Sequence, residues 1–321
     1  MRPVVIAHRG ASAYLPEHTV PAKVLAYAMG ADYLEQDVVA SRDDELVVLH
    51  DIYLDRVSNV AEAFPDRHRD DGRYYVRDFD LAELLELRVW ERFDAEGAPV
   101  YPGRYPGRTG NFRLHSLRTE LELVRHLNTS TEARTGIYPE IKRPAWHRAQ
   151  GIDIAPLLLE LLEEFDYRNN SDPVYVQCFD ANEVVRLRRE LGCPLKLVQL
   201  IGENEWAESE TDYAFLQTDA GLQQIAAVAD GIGPRLEHCM RVSGAQVRAS
   251  GLVERAHKLA LAVHPYTVRA DSLPDGFSSH DALVTFCVAE LKVDGLFSDF
   301  PDETRRQILA LEPASRPAAP Q

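Results

Sequence analysis

Short apolar runs rich in β-branched residues alternate along the chain with longer segments in which apolar residues recur every three or four positions. The short runs predict strands and the longer segments predict helices, an alternation typical of βαβ units in a parallel sheet. The eight predicted strands span residues 4–10, 32–39, 136–142, 174–180, 195–202, 230–234, 261–268 and 294–300. The clearest predicted helices span residues 153–165, 181–191, 280–291 and 302–312. Eight such repeats predict an α/β fold, a (β/α)8 TIM barrel.

One apolar run departs from this alternation. ELVVLHD, residues 45–51, follows the second strand after only a short connection that contains SRDD. A parallel crossover needs a much longer connection, so the run is expected to fold back as a β-hairpin after the second strand. That hairpin places the region of His50 across from Glu35 and Asp37, within about a residue of register.

Residues 52–116 differ in composition from the rest of the chain. They are rich in Arg, Asp, Tyr, Gly and Pro, as in DRHRDDGRYYVRDFD and YPGRYPGRTGNF. Because they leave the chain directly after the hairpin, we interpret them as an inserted cap region over the barrel mouth rather than an independent domain. Residues 1–312 are therefore expected to form one domain, with residues 313–321 as a flexible tail.

Composition narrows the possible partners and locations. The 321 residues carry a formal net charge of -16, which argues against binding to nucleic acid or to an anionic membrane surface. No apolar run is long enough to span a membrane. The four cysteines are too widely spaced for a zinc knuckle and read as buried thiols. With no signal segment before the first strand, a cytoplasmic location is expected as the sequence stands, and a periplasmic one if a signal peptide was removed.

Carboxylates gather where two neighbouring strands end. Glu35 and Asp37 lie two apart in one strand and so share a face, as do Glu140 and Lys142 in the next. Taken singly, such residues are usually solvated strand-end charges. Three carboxylates at one end of a barrel, however, need a positive charge between them, and oxygen ligands suit Ca²⁺ or Mg²⁺. The sequence thus predicts a site for one divalent cation.

Two histidines lie at strand ends beside these carboxylates. His8 and His50 are each followed by a polar residue, and their near-neutral pKa range suits a general acid and a general base. Either histidine alone would more often be a buried structural residue. Among the other polar residues, His18 is expected to line the mouth. Tyr266 either faces the substrate or packs, and Asp299 is expected to cap the last helix rather than to act in catalysis.

The order of the motifs resembles a known family. AHRGASAYLPEHT, YLEQDV, LVVLHD, YPEIK, VQCFD, HPYTVR and DGLFSDFPD occur as in the glycerophosphodiester phosphodiesterases, most closely in their bacterial periplasmic members. The resemblance covers nearly the whole chain. It implies a TIM barrel that hydrolyses small glycerophosphodiesters, such as glycerophosphocholine or glycerophosphoethanolamine, to an alcohol and sn-glycerol 3-phosphate.

The same resemblance implies residue roles. By position, His8 and His50 match the acid/base pair. Glu35, Asp37 and Glu140 match the metal ligands, with Ca²⁺ favoured over Mg²⁺. Arg9 and Lys142 match the phosphate contacts. Tyr266 is a further expected substrate contact, from its place near a strand end rather than from the resemblance. The expected partner is a small molecule, with a homodimer possible.

Two alternatives remain open from the sequence. A phospholipase D-like or cyclising phosphodiesterase on the same barrel would need an exposed apolar rim for acyl chains, and the polar insertion offers none. A non-catalytic binding barrel would be expected to lack a histidine or a carboxylate of the set. This chain has all five.

Overall fold

The computed structural model describes residues 2–105, 108–244 and 246–312. The predicted tail, residues 313–321, lies outside the described residues. The strands are β1 (Val4–Ala7), β2 (Tyr33–Ala40), β3 (Leu46–Val48), β4 (Arg88–Val89), β5 (Phe112–Arg113), β6 (Gly136–Ile141), β7 (Tyr175–Cys178), β8 (Lys196–Ile201), β9 (Gly231–Pro234), β10 (Met240–Ser243), β11 (Gln246–Ala249), β12 (Ala262–Val263) and β13 (Gly295–Ser298). The helices are α1 (Val20–Ala28), α2 (Val60–Ala63), α3 (Leu81–Glu86), α4 (Leu117–Thr131), α5 (Pro144–Ala149), α6 (Ile154–Glu164), α7 (Ala181–Arg189), α8 (Tyr213–Leu216), α9 (Asp219–Ala226), α10 (Leu252–His257), α11 (His280–Thr285) and α12 (Pro301–Ala310).

The main sheet is a barrel of parallel strands in chain order. Neighbouring strands run β12, β9, β8, β7, β6, β2, β1, β13, so each predicted strand is present and pairs with its predicted neighbours. The ring closes through hydrogen bonds between β13 and the chain after β12, from Phe297 N to Pro265 O (3.1 Å) and from Val268 N to Phe297 O (2.8 Å). The predicted (β/α)8 barrel is confirmed.

The predicted hairpin is also confirmed. Strand β3 runs antiparallel to β2, with Val48 opposite Val38 and Leu46 opposite Ala40. The pairing continues for one more residue, since Leu49 N donates to Asp37 O (2.9 Å). His50 therefore follows directly on a residue that is hydrogen-bonded to the strand carrying the acidic pair.

The apolar core has two layers, as expected for a barrel whose interior is filled by side chains. Inside the barrel, the buried residues Ile6, Tyr138, Val198 and Phe297 pack together. A much larger cluster lies between the strands and the surrounding helices. The four predicted helices are present, although the one beginning at His280 continues from Phe286 to Leu291 with π-helical hydrogen bonding.

Residues 52–116 contain α2, α3 and the short strand pair β4–β5. Their apolar side chains form a cluster of their own that packs on Val39, Val47 and Leu49 of the hairpin. Asp80 and Glu83 form a capping box that starts α3. The segment is thus a folded unit seated on the hairpin, which fixes the polar residues it carries relative to the strand ends.

Candidate active site

The carboxyl ends of the barrel strands open into a cavity of about 390 Å³. Its lining includes every site residue predicted from the sequence, namely His8, Arg9, Glu35, Asp37, His50, Glu140, Lys142 and Tyr266. These residues come from the ends of five different strand segments. This end of the barrel is where TIM-barrel enzymes carry their active sites.

The turn after β1 explains why a histidine and an arginine stand side by side. Arg9 has a left-handed backbone (φ 59°), and Gly10 follows with φ 91°. A Cβ at Gly10 would lie 2.9 Å from the backbone of Ala22, so only glycine fits this turn. The backbone N–H of Arg9 donates to Glu35 Oε2 (2.6 Å). The turn thereby brings both side chains to the same cavity and fixes one carboxylate.

The three predicted metal-binding carboxylates are close neighbours. Asp37 lies opposite Glu140 in the β2–β6 pairing, and Glu35 is two residues earlier on the same face of β2. All three are buried. Burial raises the pKa of Glu35 well above its usual range, and the nearby Asp37 charge raises it further. Burial likewise raises the pKa of Glu140 to about 8, against the opposing effect of Lys142.

Asp37 is the carboxylate of this group that stays ionised most readily. Burial alone would raise its pKa, but Lys142, His50 and His18 together hold it well below the usual range. Lys142 Nζ lies 2.7 Å from Glu140 and 3.8 Å from Asp37. The two predicted phosphate-contacting cations are thus also partners of acidic residues, since Arg9 pairs with Glu17 at 2.8 Å.

His18 is buried rather than at the mouth, which corrects the expectation from the sequence. Only 2% of it is exposed, and its Nε2 lies 2.7 Å from Asp37 Oδ2. The other oxygen of Asp37, Oδ1, has no hydrogen-bond partner among the described residues. One ligand atom each from His18, Glu35 and Asp37 lies within 4.8 Å of the others. A buried carboxylate oxygen that accepts no hydrogen bond, in a group of neighbouring acidic side chains, fits a divalent cation.

His8 forms a dyad with Asp299. Its Nδ1 lies 2.6 Å from Asp299 Oδ1, and Asp299 is 1% exposed. The second oxygen of Asp299 accepts hydrogen bonds from Arg104 Nη2 and Arg269 Nε, each at 2.7 Å. Burial, with Arg9, lowers the pKa of His8 to about 4. Because the ionised Asp299 accepts a hydrogen bond from Nδ1–H, the lone pair of the neutral His8 ring lies on Nε2.

Asp299 therefore does not have the role expected from the sequence. The residue that caps α12 is Phe300, and no side chain caps this helix. The signal that would have found it is its place at the end of β13, the same position relative to a strand as the other polar residues of the site. Pro301, two residues further on, is typical of the first turn of a helix, and for that reason the sequence favours a capping role for Asp299.

His50 forms the second dyad, with Asp51. Its Nδ1 lies 2.6 Å from Asp51 Oδ1, and Arg92 Nη1 holds the other oxygen of Asp51 at 2.5 Å. Arg92 also donates to Glu17 at 2.6 Å. Burial lowers the pKa of His50, with Arg9 and Lys142 adding to the effect. Burial thus favours the neutral form of both imidazoles, and each is oriented by a carboxylate that an arginine of residues 52–116 contacts.

The remaining aromatic and histidine candidates differ in their surroundings. Tyr266 lines the cavity with its ring, which packs edge-on against Phe179, while its hydroxyl donates to Ile201 O (3.0 Å). His264 lies inside the barrel, where its Nδ1 meets the hydroxyl of Tyr138 at 2.8 Å. His264 is a structural residue. All four cysteines are buried, as the sequence predicted.

The fold and this cavity define a class: an α/β barrel with two histidine–aspartate dyads facing a buried acidic group. The sequence profile described as the glycerophosphoryl diester phosphodiesterase family matches residues 8–303. The chain belongs to that family, whose members are phosphoric diester hydrolases.

Individual relatives agree with this assignment. The chain is 40% identical to a glycerophosphodiester phosphodiesterase of Haemophilus influenzae, over 93% of this chain and 88% of the relative. It is 39% identical to one of Treponema pallidum, over 93% and 90%. Among solved structures, a glycerophosphodiester phosphodiesterase of Agrobacterium tumefaciens gives a TM-score of 0.62 at 21% identity, covering 96% of this chain and all (100%) of that one. An Oleispira antarctica phosphodiesterase in complex with its product sn-glycerol-3-phosphate also gives 0.62, at 18% identity over 96% and 97%.

Within the described part of the chain, no helix combines the length and apolar character needed to cross a bilayer.

Proposed function

We propose that this chain hydrolyses small glycerophosphodiesters to an alcohol and sn-glycerol 3-phosphate, using His8 and His50 as the proton-transferring pair and one divalent cation. The observation that carries the proposal is the pair of histidine–aspartate dyads bordering the same cavity as three buried carboxylates. The relatives that match most of this chain are named for the same activity.

The two imidazoles supply the proton transfers. Hydrolysis of a phosphodiester needs a base to take a proton from the attacking water and an acid to protonate the leaving alcohol. In each dyad the carboxylate of Asp299 or Asp51 accepts a hydrogen bond from Nδ1–H, so proton transfer takes place at Nε2. The base receives the proton of the attacking water on its Nε2 lone pair, and the acid starts as the imidazolium and gives its Nε2 proton to the leaving alcohol. Each positioned transfer contributes roughly 10²- to 10⁴-fold in rate.

Arg9 and Lys142 line the cavity and are suited to hold the two non-bridging oxygens of the phosphodiester. The ring of Tyr266 forms part of the wall beside them. Glu35, Asp37 and Glu140 would hold the cation, with His18 fixing the orientation of Asp37. When bound, the cation supplies positive charge that neutralises the phosphodiester. We favour Ca²⁺ over Mg²⁺, because an all-oxygen group of irregular geometry suits the larger ion.

Residues 52–116 are proposed to cap the barrel mouth and to limit entry to small polar head groups. Two contacts support this: Arg92 reaches Asp51 and Arg104 reaches Asp299, so the segment extends to both dyads. Its buried apolar side chains pack together and against the hairpin rather than facing the mouth. This favours a glycerophosphodiesterase over a phospholipase D-like enzyme.

The test is release of glycerol 3-phosphate from glycerophosphocholine and glycerophosphoethanolamine, before and after chelation and with Ca²⁺ or Mg²⁺ restored. We expect turnover that chelation abolishes and Ca²⁺ restores more fully than Mg²⁺. Restoration of turnover by Mg²⁺ and not by Ca²⁺ would identify Mg²⁺ as the required ion. Absence of turnover with either ion would favour the non-catalytic alternative, and release of a cyclic phosphate would favour the cyclising one.

A further inference from the structure

A second, smaller cavity of about 210 Å³ adjoins the histidine pair on the side of the insertion. His8, Arg9, His50 and Arg269 line both cavities, so a phosphodiester placed between the histidines opens into each of them. Glu35, Asp37 and Glu140 border only the larger cavity. At about 30 Å³ per water molecule, the smaller cavity has room for about seven waters, enough for a small alcohol.

The charge of the smaller cavity is opposite to that of the protein as a whole. Five arginines line it against three carboxylates, in a chain whose formal net charge is -16. The arginines are Arg9, Arg56, Arg92, Arg104 and Arg269, and the carboxylates are Glu17, Asp51 and Asp299. Excess positive charge concentrated in a concave site attracts an anion.

The three carboxylates are ionised, so they do compensate part of this charge. Burial would raise the pKa of Glu17, but Arg9 and Arg92 hold it well below the usual range. Arg92 and His50 lower the pKa of Asp51 against its burial. Arg269 and His8 do the same for Asp299. Asp271, which does not line the cavity, also pairs with Arg104 at 2.8 Å, so the excess near pH 7 is one guanidinium.

Four of the five arginines are held by carboxylates, and Arg56 is the exception. Arg9 pairs with Glu17, Arg92 with Glu17 and Asp51, Arg104 with Asp271 and Asp299, and Arg269 with Asp299. The guanidinium of Arg56 has no such partner among the described residues, although its backbone is fixed, since Phe93 N donates to Arg56 O (3.1 Å). It is half-buried at the cavity wall. A guanidinium in this setting offers paired N–H donors to a planar anion.

We propose that Arg56 forms a subsite for an acidic group on the alcohol half of the substrate, so that the enzyme prefers head groups carrying a carboxylate over those without one. The proposal rests on the proposed function, because it assigns a substrate preference to the same reaction. Serine and ethanolamine are the matched pair of head groups: they differ by one carboxylate and share the ammonium group.

The experiment compares KM for glycerophosphoserine and glycerophosphoethanolamine in wild type, Arg56→Gln and Arg56→Lys. Wild type should show the lower KM for glycerophosphoserine. Because a half-exposed charge-assisted hydrogen bond contributes modestly, Arg56→Gln should raise KM for glycerophosphoserine about tenfold more than for glycerophosphoethanolamine, equivalent to about 1.4 kcal/mol. Arg56→Lys keeps the charge and should recover part of the preference.

The control is Arg73→Gln, which removes another arginine of the same insertion. The guanidinium of Arg73 lies over the ring of Tyr53, 4.2 Å from its centroid, and Arg73 does not line the cavity. It should leave both KM values near those of wild type. Equal increases for both substrates in Arg56→Gln would overturn the proposal, because Arg56 would then serve the phosphodiester itself. The same selective loss in Arg73→Gln would also overturn it.

A binding measurement keeps this result separate from the proposed function. Calorimetric titration with O-phosphoserine and with phosphoethanolamine needs no turnover. If wild type hydrolyses neither diester, the proposed function fails, yet tighter binding of O-phosphoserine that Arg56→Gln removes would still support the subsite. Equal affinity for the two phosphates in wild type would overturn it.

Discussion

Asp299 is the residue whose replacement tests the orientation of His8 most sharply. In Asp299→Asn, a side chain of nearly the same shape replaces a carboxylate that is 1% exposed and accepts hydrogen bonds from His8 (2.6 Å), Arg104 (2.7 Å) and Arg269 (2.7 Å). The amide is neutral and offers one oxygen instead of two. If that oxygen faces the arginines, the amide N–H₂ faces Nδ1 of His8 and stabilises the tautomer with the proton on Nε2.

The expected loss of kcat follows from the tautomer, because a proton on Nε2 of neutral His8 prevents that atom from accepting another. The equivalent Asp-to-Asn change in a serine protease triad lowers kcat by about 10⁴-fold. In that triad the histidine also has to activate a serine nucleophile, so the expected loss here is smaller. We expect a loss of about 10³-fold in kcat here, which corresponds to about 4 kcal/mol of transition-state stabilisation. KM and the affinity for the divalent cation should change little, because Asp299 contacts His8 and two arginines rather than the acidic group.

The assay is steady-state release of glycerol 3-phosphate from glycerophosphocholine, with cation affinity measured by calorimetry on the same preparations. Asp302→Asn is the control: Asp302 lies three residues further on and accepts a hydrogen bond from the Tyr14 hydroxyl at 2.8 Å, outside the site. It should keep nearly full activity. If Asp299→Asn retains kcat within a few-fold of the control, His8 does not depend on Asp299 and the dyad has no role in the reaction.

Three further predictions concern other parts of the structure. Glu140→Gln removes a carboxylate next to Asp37 and should weaken Ca²⁺ binding in calorimetry, whereas unchanged affinity would remove Glu140 from the metal site. Intact phosphatidylcholine should be a poor substrate beside glycerophosphocholine, and comparable turnover of the two would refute the capping role of residues 52–116. Burial raises the pKa of Glu91 from 4.5 to about 7, so the folded protein binds this proton more tightly than the unfolded chain, and the free energy of unfolding falls as pH rises between those values. Glu91→Gln should therefore raise the stability at pH 8, relative to its effect at pH 4, by up to about 3 kcal/mol in denaturant titrations, and a parallel pH profile for the two proteins would contradict this.

The barrel and the hairpin were predictable because local patterns encode them. Most strands coincide with a short apolar run rich in β-branched residues, and the short connection that contains SRDD is compatible only with a hairpin. The site residues on those strands were predictable for a similar reason, because each is a polar residue at the end of an apolar run. All of them line one cavity.

The partners of those residues were not predictable from local patterns. Asp299 meets His8 across 291 positions in the sequence, and only barrel closure brings them together. Arg92 and Arg104 come from a segment with no strong periodicity, so nothing local shows that they point at the dyads. The position of His18 in a proline-containing loop after the first strand suggests the mouth, whereas the side chain is buried against Asp37.

The two histidines themselves give the most direct measurement. kcat of His8→Ala and His50→Ala is compared on glycerophosphocholine and on a glycerophosphodiester whose alcohol is p-nitrophenol, which leaves without being protonated. Both variants should lose orders of magnitude on the natural substrate while keeping their affinity for the cation, and the double variant should be little worse than either, because the pair acts as a unit. The p-nitrophenyl substrate should restore activity to one variant only, and that variant lacks the acid. Equal activity of the two variants on that substrate, or loss of cation binding from either, would contradict the assignment of His8 and His50 as an acid and a base.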